Sequence, residues 1–327
     1  MNRRLLWLLS LIVALFLARV LPAEDVLCPT SAARVIRERD QIWLVNTRGV
    51  DCGATEPASL TYSRLESKQW QPAAAATFFA TDDKNIPTLF YIHGNRKDAP
   101  GAEFDGLETY HELVGKFPDE RAVRFVIWSW PSDQIKRRPR QDVYVKAARS
   151  DVDAELLARF LASLQPDSRV SVVSFSFGSR IFSGASHLLG GGELNGVRVA
   201  ASHRPTMRGV LWAAAIHDDW LLPGHPQGCA LPVTEKWLNL INPCDSVLRQ
   251  YHRLDKCAQA TALGYGGLAG RETLDPTLAS RFQQVDVSTF VGSEHDTEPY
   301  LYNGEVARLT REGILWRDAG LASESPR

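Results

Sequence analysis

One short stretch pairs a nucleophilic side chain with the spacing that could expose it. Ser174-Phe175-Ser176-Phe177-Gly178 follows the apolar run Val170–Ser174 and precedes a helix-like segment. A serine on a sharp strand-to-helix turn presents its hydroxyl to a reacting carbonyl, and small residues two positions before and after let strand and helix approach closely. Ser176 is the candidate nucleophile, with Ser174 standing at the first small position where glycine is usual. A serine needs a base, and the base an acid to orient it. His295, in Ser293-Glu294-His295-Asp296, follows a late apolar segment, and Asp245, in Asn242-Pro243-Cys244-Asp245-Ser246, follows an earlier one. The order Ser176, Asp245, His295 puts all three after strands, on the edge of a parallel sheet where substrates gather. Asp218 and Asp219, after 209–216, are rival acids. With His217 and His225 they also hint at a metal site, but the spacing is too loose and no metal is expected.

An acyl transfer also needs donors for the developing oxyanion. The strand 85–95 ends in His93-Gly94-Asn95. The backbone N–H of Asn95 and that of Phe177, directly after the nucleophile, are the expected pair. His93 is expected to be a buried, loop-shaping residue rather than the base.

These groups need strands and helices to hold them. Residues 41–48, 59–65 and 76–81 read as extended, and 88–92, 122–130, 170–174, 209–216, 236–243 and 285–293 as further strands. The spacing predicts helices over 103–117, 151–166 and 177–190, with a polar, basic connector between 131 and 150. Strands apolar on both faces that alternate with helices imply an α/β fold, a mostly parallel central sheet with helices on both faces. Nothing divides residues 24–327 into two folding units, and 318–327 reads as a loose tail.

The segments LFYIHGN, VRFVIWSWPSD, VSVVSFSFGSR, AAAIHDDW, NPCDSVLR and EHD together resemble the alpha/beta-hydrolase superfamily, and within it the poorly characterised, lipase-like bacterial branch called DUF900-like. The likeness spans about residues 85–303. It implies Ser176 as nucleophile, Asp245 as acid and His295 as base, with Trp130-Pro131-Ser132 near the site mouth and Trp128 or Trp130 lining a pocket there. The chain departs at the elbow, where SFSFG replaces the expected His-Ser-x-Gly and Phe175 stands for the histidine. The expected function is a serine hydrolase of carboxylesterase or lipase-like type, working through an acyl-enzyme on a small-molecule or lipid-like ester. The alternative is a non-catalytic binding or scaffold protein of the cell envelope on the same fold.

The remaining sequence narrows the field. The chain has 327 residues, 44% hydrophobic and 23% charged, so a sizeable core is expected. A net charge of -1 gives no reason to expect a nucleic-acid partner. No glycine-rich phosphate or dinucleotide motif follows a strand, and no cofactor is expected. Two arginines precede an apolar run from Leu5 to Ala18. Residues 1–23 therefore read as an export signal or an N-terminal membrane anchor, with 5–21 as the anchoring stretch. Export implies a periplasmic, extracellular or membrane-attached protein in which some of the five cysteines pair. A bridge from Cys244 to Cys229 or Cys257 would brace the Asp245 loop.

Overall fold

The computed structural model describes residues 36–50, 56–118, 120–253 and 260–316. Nine strands form one sheet: β1 Gln41–Asn46, β2 Thr61–Glu66, β3 Gln69–Ala73, β4 Thr88–Ile92, β5 Arg124–Ser129, β6 Arg169–Phe175, β7 Thr206–Trp212, β8 Thr234–Ile241 and β9 Phe282–Asp286. Their order is β3-β2-β1-β5-β4-β6-β7-β8-β9. From β1 to β9 the neighbours run parallel, whereas β2 and β3 are an antiparallel edge. The principal helices are α1 Ala99–Tyr110, α2 Pro139–Ala162, α3 Phe177–Leu189 and α4 Gly304–Ile314. A parallel sheet of this order with helices on both faces is the alpha/beta-hydrolase fold.

Alternating side chains place the helices. On β5, Ile127 meets Gly106 of α1, while its neighbour Trp128 packs on Phe160 of α2, with ring centroids 5.4 Å apart. Successive strand residues face opposite sides, so α1 and α2 cover opposite faces. On β8, Trp237 likewise packs on Phe182 of α3, and Leu238 lies under Gly313 of α4. The β4 strand, TLFYI, is buried at every position, as a central strand covered on both sides must be.

Three segments differ from the sequence reading. Residues 76–81 lie mostly in a short helix, Ala75–Ala80, rather than a strand. Alanine-rich sequence favours helix, and the turn drops Phe78 into a fully buried niche between Trp43 and Phe160, about 5.1 Å from each. The edge strand β3 was not anticipated because QWQPA is half polar and holds Pro72, which only an edge tolerates. Most of the expected connector belongs to α2, which begins with Pro139 in its first turn. In addition, β9 ends at Asp286, and Ser288–Val291 is a single helical turn.

The expectation of a membrane anchor is corrected. Among the described residues no helix is long and apolar enough to cross a membrane. The longest, α2, carries Arg140, Asp142, Lys146, Arg149, Asp151, Asp153, Glu155 and Arg159 along its length. The segment 5–21 lies outside the described residues, as do Cys28, Cys52, Cys257 and the tail 318–327. Among the described residues Cys229 and Cys244 carry free thiols, so the expected bridge between these two is not made.

At the end of the sheet away from the strands' carboxyl termini, Arg124 is buried against Asp82 at 2.8 Å. It donates to Thr88 Oγ1 and lies 4.5 Å from the Phe78 ring. Burial draws its guanidinium down to about 10, with Asp82 opposing the shift. Asp82 also accepts from the Gln165 N–H at 2.6 Å, joining β4, β5 and the α2–β6 turn. Removing one partner strands the other charge in the core. Asp82→Ala is expected to cost about 3–5 kcal/mol, read as a lowered urea midpoint; an unchanged midpoint would remove this pair from the fold's essential contacts.

Candidate active site

Ser176 sits between β6 and α3 with φ 53° and ψ −118°, a conformation that L residues avoid unless surrounding contacts impose it. Here they do. The Ser176 N–H donates to the Trp212 carbonyl at 2.9 Å, and its own carbonyl accepts from Ser179 at 3.0 Å and Ala215 at 3.2 Å. The small neighbours are sterically required. A Cβ on Gly178 would lie 2.3 Å from the Ile92 carbonyl oxygen, and one on Gly94 2.7 Å from the Phe175 ring. Ser174 is fully buried, and its hydroxyl pairs with that of Ser179 at 3.1 Å. A serine thus fits the position where glycine is usual.

His295 Nε2 lies 3.0 Å from Ser176 Oγ, and His295 Nδ1 lies 2.7 Å from Asp245 Oδ2. A carboxylate at Nδ1 holds the proton there and leaves the Nε2 lone pair toward the serine hydroxyl. Asp245 is fully buried, and its second oxygen accepts from the Val247 and Leu248 N–H groups at 2.9 and 2.8 Å. Asp219 is engaged elsewhere, with His225 at 3.1 Å. The Phe175 ring lies 5.0 Å from the His295 imidazole and 6.1 Å from Tyr300, so the residue replacing the elbow histidine packs on the imidazole.

Two loops, separated by β9, must meet for this chain of bonds to form. Asn242, which the sequence reading passed over, joins them: its Nδ2 donates to the Gly292 carbonyl at 2.8 Å. The Ser246 N–H adds a bond to the Ser293 carbonyl at 3.1 Å. Asp142 was also missed. Fully buried in the first turn of α2, it accepts from Asn95 Nδ2 at 3.2 Å, Arg96 Nε at 3.0 Å and the Ile135 N–H at 2.9 Å. Neither residue stands out in sequence, because the loop each one ties lies 46 to 50 positions away.

A cavity of about 730 Å³ opens over Ser176 and His295, with Val143, Tyr144, Phe175 and Phe177 among its apolar lining. Asn95 also lines it, and neither the Asn95 nor the Phe177 N–H has an acceptor among the described residues. The tryptophans expected at the mouth are elsewhere. Trp128 and Trp130 are fully buried; Trp130 stacks on His93 at 5.6 Å and donates its indole N–H to the His93 carbonyl at 2.8 Å. β5 is central, so its end lies against the loop that follows β4 and begins at His93, the first loop of the site, rather than beside the cavity.

His93 is a buried, neutral brace. Its Nδ1 lies 2.8 Å from the Gly94 carbonyl and its Nε2 accepts from the Trp130 N–H at 3.1 Å. Burial lowers its pKa to about 3.

No family model matches the chain, and no curated protein does. Among solved structures, two inhibited forms of esterase B from Lactobacillus rhamnosis share overall likeness. One is 13% identical over 86% of this chain and 87% of that one, with a TM-score of 0.40; the other is 13% identical over 86% and 85%, with a TM-score of 0.41. A bacterial heroin esterase is 14% identical over 79% and 80%, with a TM-score of 0.29. Likeness this distant bears on neither reaction nor substrate.

Two predictions follow from the site's packing. Gly178→Ala drives a methyl into the Ile92 carbonyl and is expected to destabilise the fold by about 1–3 kcal/mol; a urea midpoint equal to the parent's would refute the close approach. His93 is neutral when folded but protonates near 6.5 when unfolded, so its contribution to stability is lost as pH falls from about 6.5 toward 3, by up to about 1.4 kcal/mol per pH unit. Asp153, raised to about 6 by burial, acts oppositely: its contribution is present at low pH and lost as pH rises from about 3.8 to 6. His93→Gln should therefore show a flatter or inverted loss of stability between pH 7 and 5 in urea titrations. Parallel curves for the two proteins would rule out a buried neutral His93.

Proposed function

We propose that the chain is a serine hydrolase cleaving carboxylic esters, of carboxylesterase type, with Ser176 as nucleophile, His295 as base and Asp245 as the acid that orients it. The observation that carries this reading is the unbroken relay from Ser176 Oγ through His295 to buried Asp245 beneath an open cavity. In the first half-reaction Ser176 Oγ bonds to the ester carbonyl carbon while its proton passes to His295 Nε2. The Asn95 and Phe177 N–H groups receive the oxyanion. Collapse of the tetrahedral intermediate breaks the carbon–oxygen bond to the alcohol, which leaves with the proton from His295. Water then attacks the acyl-enzyme, giving its proton to His295, and the second collapse releases the carboxylic acid and returns that proton to Ser176.

The apolar lining, Val143, Tyr144, Phe175 and Phe177, suits an acyl or alkyl chain. The departure at the elbow motivated the non-catalytic alternative, but Ser174 is satisfied by Ser179 and Phe175 supports the imidazole, so the relay survives it. Placement in the DUF900-like branch rests only on the motif segments, and the relay does not depend on it.

Incubating the folded chain with an alkyl fluorophosphonate should form a Ser176 Oγ–phosphorus bond with loss of fluoride, one adduct per chain by mass mapping. Ser176→Ala should abolish the adduct, His295→Ala should slow it greatly, and turnover of any responsive ester should fall about 10⁴-fold or more in Ser176→Ala. A folded chain that forms no adduct would overturn the assignment.

A further inference from the structure

The charged lining of the cavity over Ser176 is mostly cationic. Four basic residues line it, Arg96, Lys97, Arg140 and Arg253, and one acid, Asp296. Two of the four are already committed: Arg96 to Asp142 at 3.0 Å and Lys97 to Asp105 at 2.7 Å. Among the described residues the Arg253 side chain is held by the neutral Gln250 side chain, at 2.6 Å, and neither Arg253 nor Arg140 has an ion-pair partner there. Asp296 spends one oxygen on the Thr297 N–H at 2.7 Å. The two unpaired arginines come from adjacent pieces of chain. Tyr144, one turn after Arg140 on α2, donates its hydroxyl to the Arg253 carbonyl at 3.3 Å, and residues four apart share a helix face.

The bias continues beyond the mouth. A neighbouring cavity of about 700 Å³ shares Leu248 and Arg253 with the first, and its other titratable described residues are Arg249, His252 and Tyr265. A ligand extending from Ser176 past Tyr144 therefore leaves an apolar floor and meets guanidinium groups. Planar guanidinium groups match carboxylate and phosphate oxygens in geometry as well as charge.

We propose that the ester taken at Ser176 is amphipathic, bearing a carboxylate or phosphate at the end remote from the scissile carbonyl, and that Arg140 and Arg253 hold that anion. This rests on the hydrolase reading above. Both arginines are exposed, so they act through charge and geometry rather than through the core.

The test uses three alkyl fluorophosphonates of equal chain length, ending in a primary amide, a carboxylate or a phosphate, and compares their second-order rates of Ser176 labelling. At low ionic strength at least one anionic probe is expected to react about fivefold faster than the amide, the scale of one or two exposed charge pairs. Whichever anion is faster identifies the substrate's end group, and added salt should shrink the advantage. In the Arg140→Gln, Arg253→Gln double variant the ratio of anionic to amide rates should fall to about one, whereas the corresponding double lysine variant should keep most of it. Equal rates for all three probes on the parent protein would overturn the inference while leaving Ser176 as a demonstrated nucleophile. An anionic advantage that persists in the double glutamine variant would equally remove these arginines. If no probe labels Ser176, the hydrolase reading fails and this inference falls with it.

Discussion

The close approach of α3 to the end of β4 is the constraint on which the site depends. A Cβ at Gly178 would stand 2.3 Å from the Ile92 carbonyl oxygen, so the first turn of the helix is laid directly on the strand's backbone. The chain must then reverse within one residue, and Ser176 absorbs the reversal at φ 53°. Three backbone hydrogen bonds, to Trp212, Ser179 and Ala215, keep it there. The strain is useful because it turns the serine hydroxyl outward at the top of the sheet, with α3 beginning directly behind it.

The rest of the site is a problem of bringing loops together. Ser176, Asp245 and His295 come from three separate carboxyl ends, and the parallel order of β6, β7, β8 and β9 puts those ends along one edge. Strand order alone leaves angstroms of freedom, more than a hydrogen bond tolerates. Asn242 and Ser246 remove that freedom by tying the Asp245 loop to residues 292 and 293, just ahead of His295. On the other side, buried Asp142 anchors Asn95 and Arg96 to α2. Polar side chains inside the loops therefore set distances that the sheet sets only coarsely.

One helix, α2, serves both the loop after β4 and the cavity wall. Asp142 fixes the first loop from one face of α2's opening turns, while Arg140, Val143 and Tyr144 line the cavity from there. The sequence reading treated this stretch as a basic connector, because its charges mask the helical period and Pro139 looks like a breaker. Proline in a helix's first turn costs nothing, since the N–H it lacks would have no intrahelical partner. Similar reasons explain the other differences. Phe78 and Phe79 favour a strand by type, but burial of Phe78 among Trp43, Tyr62 and Phe160 decides for a helix. Trp128 and Trp130 looked like pocket residues because they neighbour the motif Trp-Pro-Ser, yet β5 lies inside the sheet and they fill the layers under it.

What the sequence by itself determined was periodicity and order. Doubly apolar strands such as TLFYI dictate a covered parallel sheet, and small residues around Ser176 dictate a tight turn, because both follow from local sterics and from burial on two faces. The succession of Ser176, Asp245 and His295 at strand ends was legible for the same reason. What only the tertiary structure decided was contact between groups distant in the chain: the 3.0 and 2.7 Å relay distances, the Asn242 tie, the burial that keeps His93 neutral, and the pairing that commits Arg96 and Lys97 while leaving Arg140 and Arg253 at the mouth. Those depend on desolvation and on angstrom-scale geometry across the sheet edge, and neither quantity is written in any short window of residues.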